Sequence, residues 1–126
     1  MIAFLLTVML LTGTDKEVSK VISAEACSCG EEGMIAVAKT IQNRSEAWDK
    51  TYLEVVTQKN QYFGYTASNK EELYSQCGTI SDSVLLRLKN LPDITKGALY
   101  FRLPNEPVRA WHKTKTVTIC GMDFYK

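Results

Sequence analysis

The chain has 126 residues, 45% of them hydrophobic and 23% charged, which is the make-up of one globular domain able to bury its own core. Fifteen Lys and Arg against fourteen Asp and Glu leave a formal charge of +1, which excludes a nucleic-acid platform with its concentrated basic face. Four cysteines and one histidine make no zinc pattern, because Cys27-x-Cys29 has no second C-x-x-C and His112 stands alone, so neither a metal nor a cofactor is expected.

In chain order, Ile2 to Leu11 is an apolar run broken only by Thr7. It is shorter than the ~20 residues a spanning helix needs, so no firm membrane anchor is expected. It also lacks a basic start and a clear A-x-A site. Residues 1–13 are therefore set apart as a weak export signal, a core helix or an arm that docks on a partner protein. Residues 14–126 form the domain proper.

Thr14 and Glu17 make a capping box, which predicts a helix from about Asp15 to Cys27. Val18, Val21 and Ile22 fall on one face of it. Glu25 follows them at +7, +4 and +3, so a carboxyl group lies within an apolar stripe. Such a group costs stability unless it is paired or keeps its proton. Two readings stand: a catalytic acid, or a structural carboxylate neutralised by Arg44 or a lysine.

Ser28, Gly30 and Gly33 break the helix, and Met34, Val37, Ala38 and Ile41 predict a second one ending near Arg44. Asn43 and Arg44 are expected as a cap and an ion pair at its end, and Glu32 as a first-turn acid favouring its dipole. Thr51 and Glu54 cap a short third helix. Gln58 to Ser68 reads as a loop on which Gln61, Tyr62 and Phe63 either contact sugar rings and N-acetyl groups or plug the core edge. Ser68 with Glu71 opens a fourth helix, and Ser81 or Asp82 a fifth that stops at Asn90 and Pro92. Beyond Gly97, Ala98 to Leu103 and Thr114 to Cys120 read as strands, and a turn at Gly121-Met122 leads into Asp123-Phe124-Tyr125. Trp111 is expected as a core anchor, His112 and Asp123 as exposed side chains. The fold class is α+β, mainly helical, closed by a small C-terminal antiparallel sheet.

Several of these residues recur together in one family. Ala24-Glu25-Ala26, Glu32-Gly33, Ile35-Ala36-Val37-Ala38 and Asn43-Arg44 keep its spacing, followed by Gln61-Tyr62, Gly97-Ala98-Leu99-Tyr100-Phe101, Trp111 and Ile119-x-Gly121-x-x-Phe124-Tyr125. The chain resembles the spore cortex-lytic, SleB-type cell-wall hydrolases of bacilli and bacteriophages. The resemblance implies a lysozyme-like or lytic-transglycosylase-like fold and cleavage of the N-acetylmuramic acid–N-acetylglucosamine (MurNAc–GlcNAc) bonds of peptidoglycan glycan strands. It makes Glu25 the catalytic acid and puts Tyr100, with Gln61, Tyr62 and Phe63, in the sugar-binding cleft. It also implies action in the bacterial cell wall or periplasm, after export or carriage in a phage virion, with residues 1–13 as a docking arm. A single acid suits a lytic transglycosylase, whose substrate supplies its own nucleophile; hydrolysis would enlist a second carboxylate, for which Asp123 is the candidate. The chain departs from the family at Cys27-Ser28-Cys29-Gly30, where Arg-Gly-Glu-Pro is usual, and at Met122, where histidine is usual. The first departure sustains an alternative: an inactive structural or glycan-binding module that keeps the fold.

Overall fold

The structure, a computed structural model, describes residues 11–58 and 61–126. The apolar run before Leu11 lies outside them. The elements are α1 (Gly13–Ala26), a 3-10 turn (Cys27–Cys29), α2 (Gly30–Trp48), α3 (Tyr52–Val56), a second 3-10 turn (Phe63–Tyr65), α4 (Lys70–Arg87), β1 (Tyr100–Arg102), β2 (Lys115–Ile119) and β3 (Met122–Tyr125).

The predicted stripe on α1 is the core-facing one: Val18 is 1% exposed and Val21, Ile22 and Ala26 are fully buried. The cap is Thr12 and not Thr14. Thr12 is extended (φ −67°, ψ 166°), and its hydroxyl accepts from the Asp15 amide at 3.2 Å, whereas Thr14 is already inside the first turn. α2 is the central helix. Met34, Ala36, Val37, Ala38 and Ile41 are all fully buried, so the core touches more than one side of it. It continues past Arg44 to Trp48 and ends on Asp49 in the left-handed conformation (φ 52°). α3 has the predicted Thr51–Glu54 capping box, both of its bonds present.

The two helices predicted between Ser68 and Pro92 are one continuous α4, followed by a 3-10 turn at Leu88–Asn90. Ser81 resembles a cap in sequence, but its hydroxyl is taken up sideways, by Ser19 at 2.7 Å and Ser23 at 2.8 Å on α1. Asp82 likewise accepts from Ser19 and Tyr74. These residues satisfy a helix–helix interface, so nothing interrupts the backbone ladder.

The sheet has the order β1-β3-β2, all antiparallel. The β2–β3 turn is Cys120-Gly121, one residue earlier than predicted, with φ of 52° and 75° as a two-residue hairpin requires. Phe124 and Met122 point into the core, and Phe124 stacks on Phe101 with ring centroids 5.8 Å apart. Two disulfides, Cys27–Cys77 and Cys29–Cys120, join the turn after α1 to α4 and to this hairpin, with Cα separations of 5.7 and 5.9 Å. Among the described residues no helix is long and apolar enough to cross a membrane, and no three His, Cys, Asp or Glu side chains gather to hold a metal.

Candidate active site

Glu25 occupies the last turn of α1, two residues before the disulfide turn, and is half-buried. Its Oε1 accepts a 2.7 Å hydrogen bond from the backbone N–H of Gly64. Among the described residues it forms no ion pair; neither Arg44 nor a lysine neutralises it. Burial therefore governs its proton, pushing the carboxyl from its ordinary 4.5 up to about 7, partly offset by the Gly64 N–H and assisted by the negative charge of Glu106.

The Gly64 N–H is held there by the residue two places before it. Tyr62 is 3% exposed, shares a 2.7 Å hydrogen bond with the Thr40 hydroxyl on α2, and packs on Phe101 at 5.7 Å. From that anchor the chain turns through Phe63–Tyr65 over the end of α1. A Cβ at position 64 would come within 3.0 Å of Ala24 Cβ and 3.1 Å of Glu25 Cγ and Oε1, so glycine is what permits the close approach.

The other predicted contacts separate. Tyr62 is a correction: it is a core residue whose hydroxyl is already engaged, and it supports the loop from beneath. Phe63 projects outward at 48% exposure. Gln61 and Tyr100 come together at a pocket of about 370 Å³ whose remaining lining is Trp48, Gln58 and Trp111. Trp48 and Trp111 flank Tyr100, with centroids 6.1 and 6.3 Å away. A larger hollow of about 1130 Å³, between the start of α1 and the end of α4, contains none of the predicted site residues.

Arg44 departs furthest from expectation. It is neither an end-cap nor an ion-pair partner but a guanidinium 2% exposed, mid-helix, bonded to the Leu99 carbonyl and at 2.8 Å to Gln61 Oε1. Asn43 beside it donates to Asp93 and to the Ala98 carbonyl, tying α2 to the approach of β1. Asp123 does not face water freely. Thr118, Lys115 and Arg102 surround it at 2.6, 3.2 and 3.0 Å, and the Thr118 hydrogen bond leads the causes that hold its carboxyl below the usual range. His112 is half-buried against Tyr125 (4.7 Å) and accepts from the Arg109 amide. Glu31 and Glu32 open α2 as dipole-favouring acids.

Sequence reasoning missed Glu106, Trp48 and the cleft position of Trp111. Glu106 lies in the irregular stretch after β1, where no periodicity gives a face to any side chain, and burial raises its own carboxyl above the ordinary value.

A family model described as Cell Wall Hydrolase matches residues 29–125, a span that begins just beyond Glu25. Among solved structures the chain is similar to the catalytic domain of the germination-specific lytic transglycosylase SleB from Bacillus anthracis. The two share 21% sequence identity with a TM-score of 0.73, over 92% of this chain and 97% of that one. No curated protein matches. The likeness in structure is one of fold: a mainly helical, lytic-transglycosylase-like domain finished by a small sheet.

Proposed function

The chain belongs to the cell wall hydrolase family, and on that premise we propose that it cleaves the MurNAc–GlcNAc bonds of peptidoglycan as a lytic transglycosylase, with Glu25 as general acid and then base. The observation that carries this reading is a half-buried carboxyl with no counter-ion among the described residues, held by one backbone N–H and keeping its proton up to about pH 7.

With Oε1 occupied by the Gly64 N–H, the proton is carried on Oε2. It passes to the glycosidic oxygen as the C1–O bond breaks and C1 gains oxocarbenium character. The C6 hydroxyl of the same muramyl residue then bonds to C1 and returns its proton to Glu25, which ends as it began. Phe63, Gln61 and Tyr100 contact the glycan, and Tyr62 fixes the loop that carries the first two. The work is done in the cell wall, reached by export or inside a phage particle.

A hydrolytic outcome has one observation in its favour, the carboxyl of Glu106 close enough for its charge to raise Glu25. Mass analysis of muropeptides released from purified sacculi separates the outcomes. The expected products carry 1,6-anhydro ends, one water lighter than reducing ends. Reducing ends alone would put water, and with it Glu106, in the mechanism. No release at all would leave a glycan-binding module.

Gly64→Ala tests the support of the acid. The added methyl must push Ala24 or Glu25 aside by a few tenths of an ångström, and misplaced acids lose rate steeply. Turnover should fall about tenfold or more, while KM and the melting temperature change little. A melting loss in proportion to the activity loss would make Gly64 a packing residue only.

A further inference from the structure

Trp111 reaches the pocket wall beside Tyr100 from the irregular stretch between β1 and β2, where no helix or strand holds it. A closed turn does so instead. The Arg109 amide donates to Nδ1 of His112 at 2.9 Å, and the His112 amide donates to the Arg109 carbonyl at 3.0 Å. Trp111 is the third of the four residues that these two bonds enclose. The imidazole lies against the Tyr125 ring of β3, with centroids 4.7 Å apart, and so fastens the turn to the sheet. Arg102 of β1 fastens the start of the same stretch, donating to the Glu106 carbonyl at 2.8 Å.

The bond from the Arg109 amide needs a lone pair on Nδ1, which the neutral imidazole offers when its proton is on Nε2. A second proton goes to Nδ1. It turns the acceptor into a donor and sets two N–H groups against each other. The surroundings oppose the cation as well. Burial, and then the charges of Arg102 on β1, Arg109 in the turn and Arg44 on α2, hold the imidazole below the ordinary 6.5. Lys113, next in the chain, brings one more positive charge. Asp123 on β3 is already engaged by Arg102, Lys115 on β2 and Thr118. Neither Asp123 nor Glu106 forms an ion pair with the ring among the described residues.

We infer that His112 is a positioning residue: its neutral imidazole holds Trp111 beside Tyr100, and its protonation opens the turn and releases Trp111 from the pocket wall. Glu25 is increasingly protonated below pH 7, so as the acid it sets only the alkaline limit of the rate. His112 adds an acid limit, and the pH profile becomes bell-shaped. The effect on rate rests on the glycan-cleaving reading; the clasp itself does not.

The full chain has a single histidine, so its imidazole can be titrated by NMR without overlap. At neutral pH the nitrogen shifts should place the proton on Nε2. On acidification the His112 ring, the Arg109 amide and the Trp111 indole N–H should move together, with one midpoint below 6.5. Clearing of peptidoglycan by the wild type should be about tenfold lower one pH unit below that midpoint. His112→Asn keeps an oxygen acceptor close to where Nδ1 stands but does not titrate. Its Arg109 amide and Trp111 indole should keep their neutral-pH positions at that same pH, and its clearing should stay level. His112→Leu, which has no acceptor, should show the displaced positions at every pH. A proton on Nδ1, an indole that ignores the His112 titration, or an acid transition retained in His112→Asn would overturn the inference. So would wild-type clearing that stays level while the resonances move. Failure of every protein to clear the wall at any pH would count against the proposed reaction alone, because the resonances test the clasp without it.

Discussion

Glu25→Gln should clear no peptidoglycan in a zymogram, a loss of about 10²–10⁴-fold in rate, and should at the same time be the more stable protein at neutral pH. The rate loss follows because an amide has no proton to give to the leaving oxygen, although its carbonyl can still accept from Gly64. The stability gain follows from linkage. The unfolded chain releases this proton near 4.5 and the folded chain holds it to about 7. The unfolded state is therefore the more acidic, and folding loses free energy as pH rises through that window, by about 3 kcal/mol at the upper limit. Above pH 7 the deficit is constant; below pH 4.5 it vanishes. Glutamine does not titrate, so melting curves of the two proteins should nearly coincide at pH 4 and separate progressively to pH 7. In the proposed mechanism the protonated form is the active one, so the wild-type rate should fall above pH 7 with an apparent pKa near that value. Clearing by both proteins would remove Glu25 from the mechanism. Parallel melting curves at every pH would mean that the carboxyl is not buried in solution.

The same residue shows what could be read before the structure and what could not. Glu25 was legible because helical spacing alone sets it beside Val18, Val21 and Ile22, and all three prove buried. The Thr51–Glu54 box was legible because both of its bonds form within four residues. Where the decisive partner was distant in sequence, the local signal misled. Ser81 looked like a cap because nothing near it in the chain announces Ser19 and Ser23 on α1. Arg44 looked like half of an ion pair, yet its neighbours are three aromatic rings and an amide gathered from α2, the loop and β1. Tyr62 and Phe63 are adjacent in sequence and opposite in environment, a difference set by Thr40 and Phe101. The helix content and the closing sheet came from periodicity; the cleft came from tertiary contacts, of which periodicity carries no trace.

Pairing of the cysteines belongs to that second group, and it leads to the other large effect. Cys27 lies two residues beyond Glu25 and is bonded to Cys77 on α4; Cys29 is bonded to Cys120 in the β2–β3 turn. The short 3-10 turn between α1 and α2 is therefore pinned on both sides where the acid is presented. The bridges span sequence separations of 50 and 91 residues, and closing loops of that size stabilises a domain by about 2–4 kcal/mol each. Cys27 and Cys29 are so close that the second closure adds less than the first. Reduction with dithiothreitol should then lower the melting temperature by about 10 °C or more, and should lower wall clearing at temperatures where the reduced protein is still folded. Paired serine substitutions divide the effect. Cys27→Ser with Cys77→Ser frees the end of α1, so it should reduce turnover more than it reduces stability. Cys29→Ser with Cys120→Ser loosens the hairpin and the start of α2, so its loss should be mainly of melting temperature. A fully reduced protein that melts within about 2 °C of the oxidised one and clears the wall equally well would show both bridges to be incidental. If instead both losses appear, a protein made in a reducing cytoplasm is held below full activity until it reaches the oxidising side, where disulfides persist and where its proposed substrate lies.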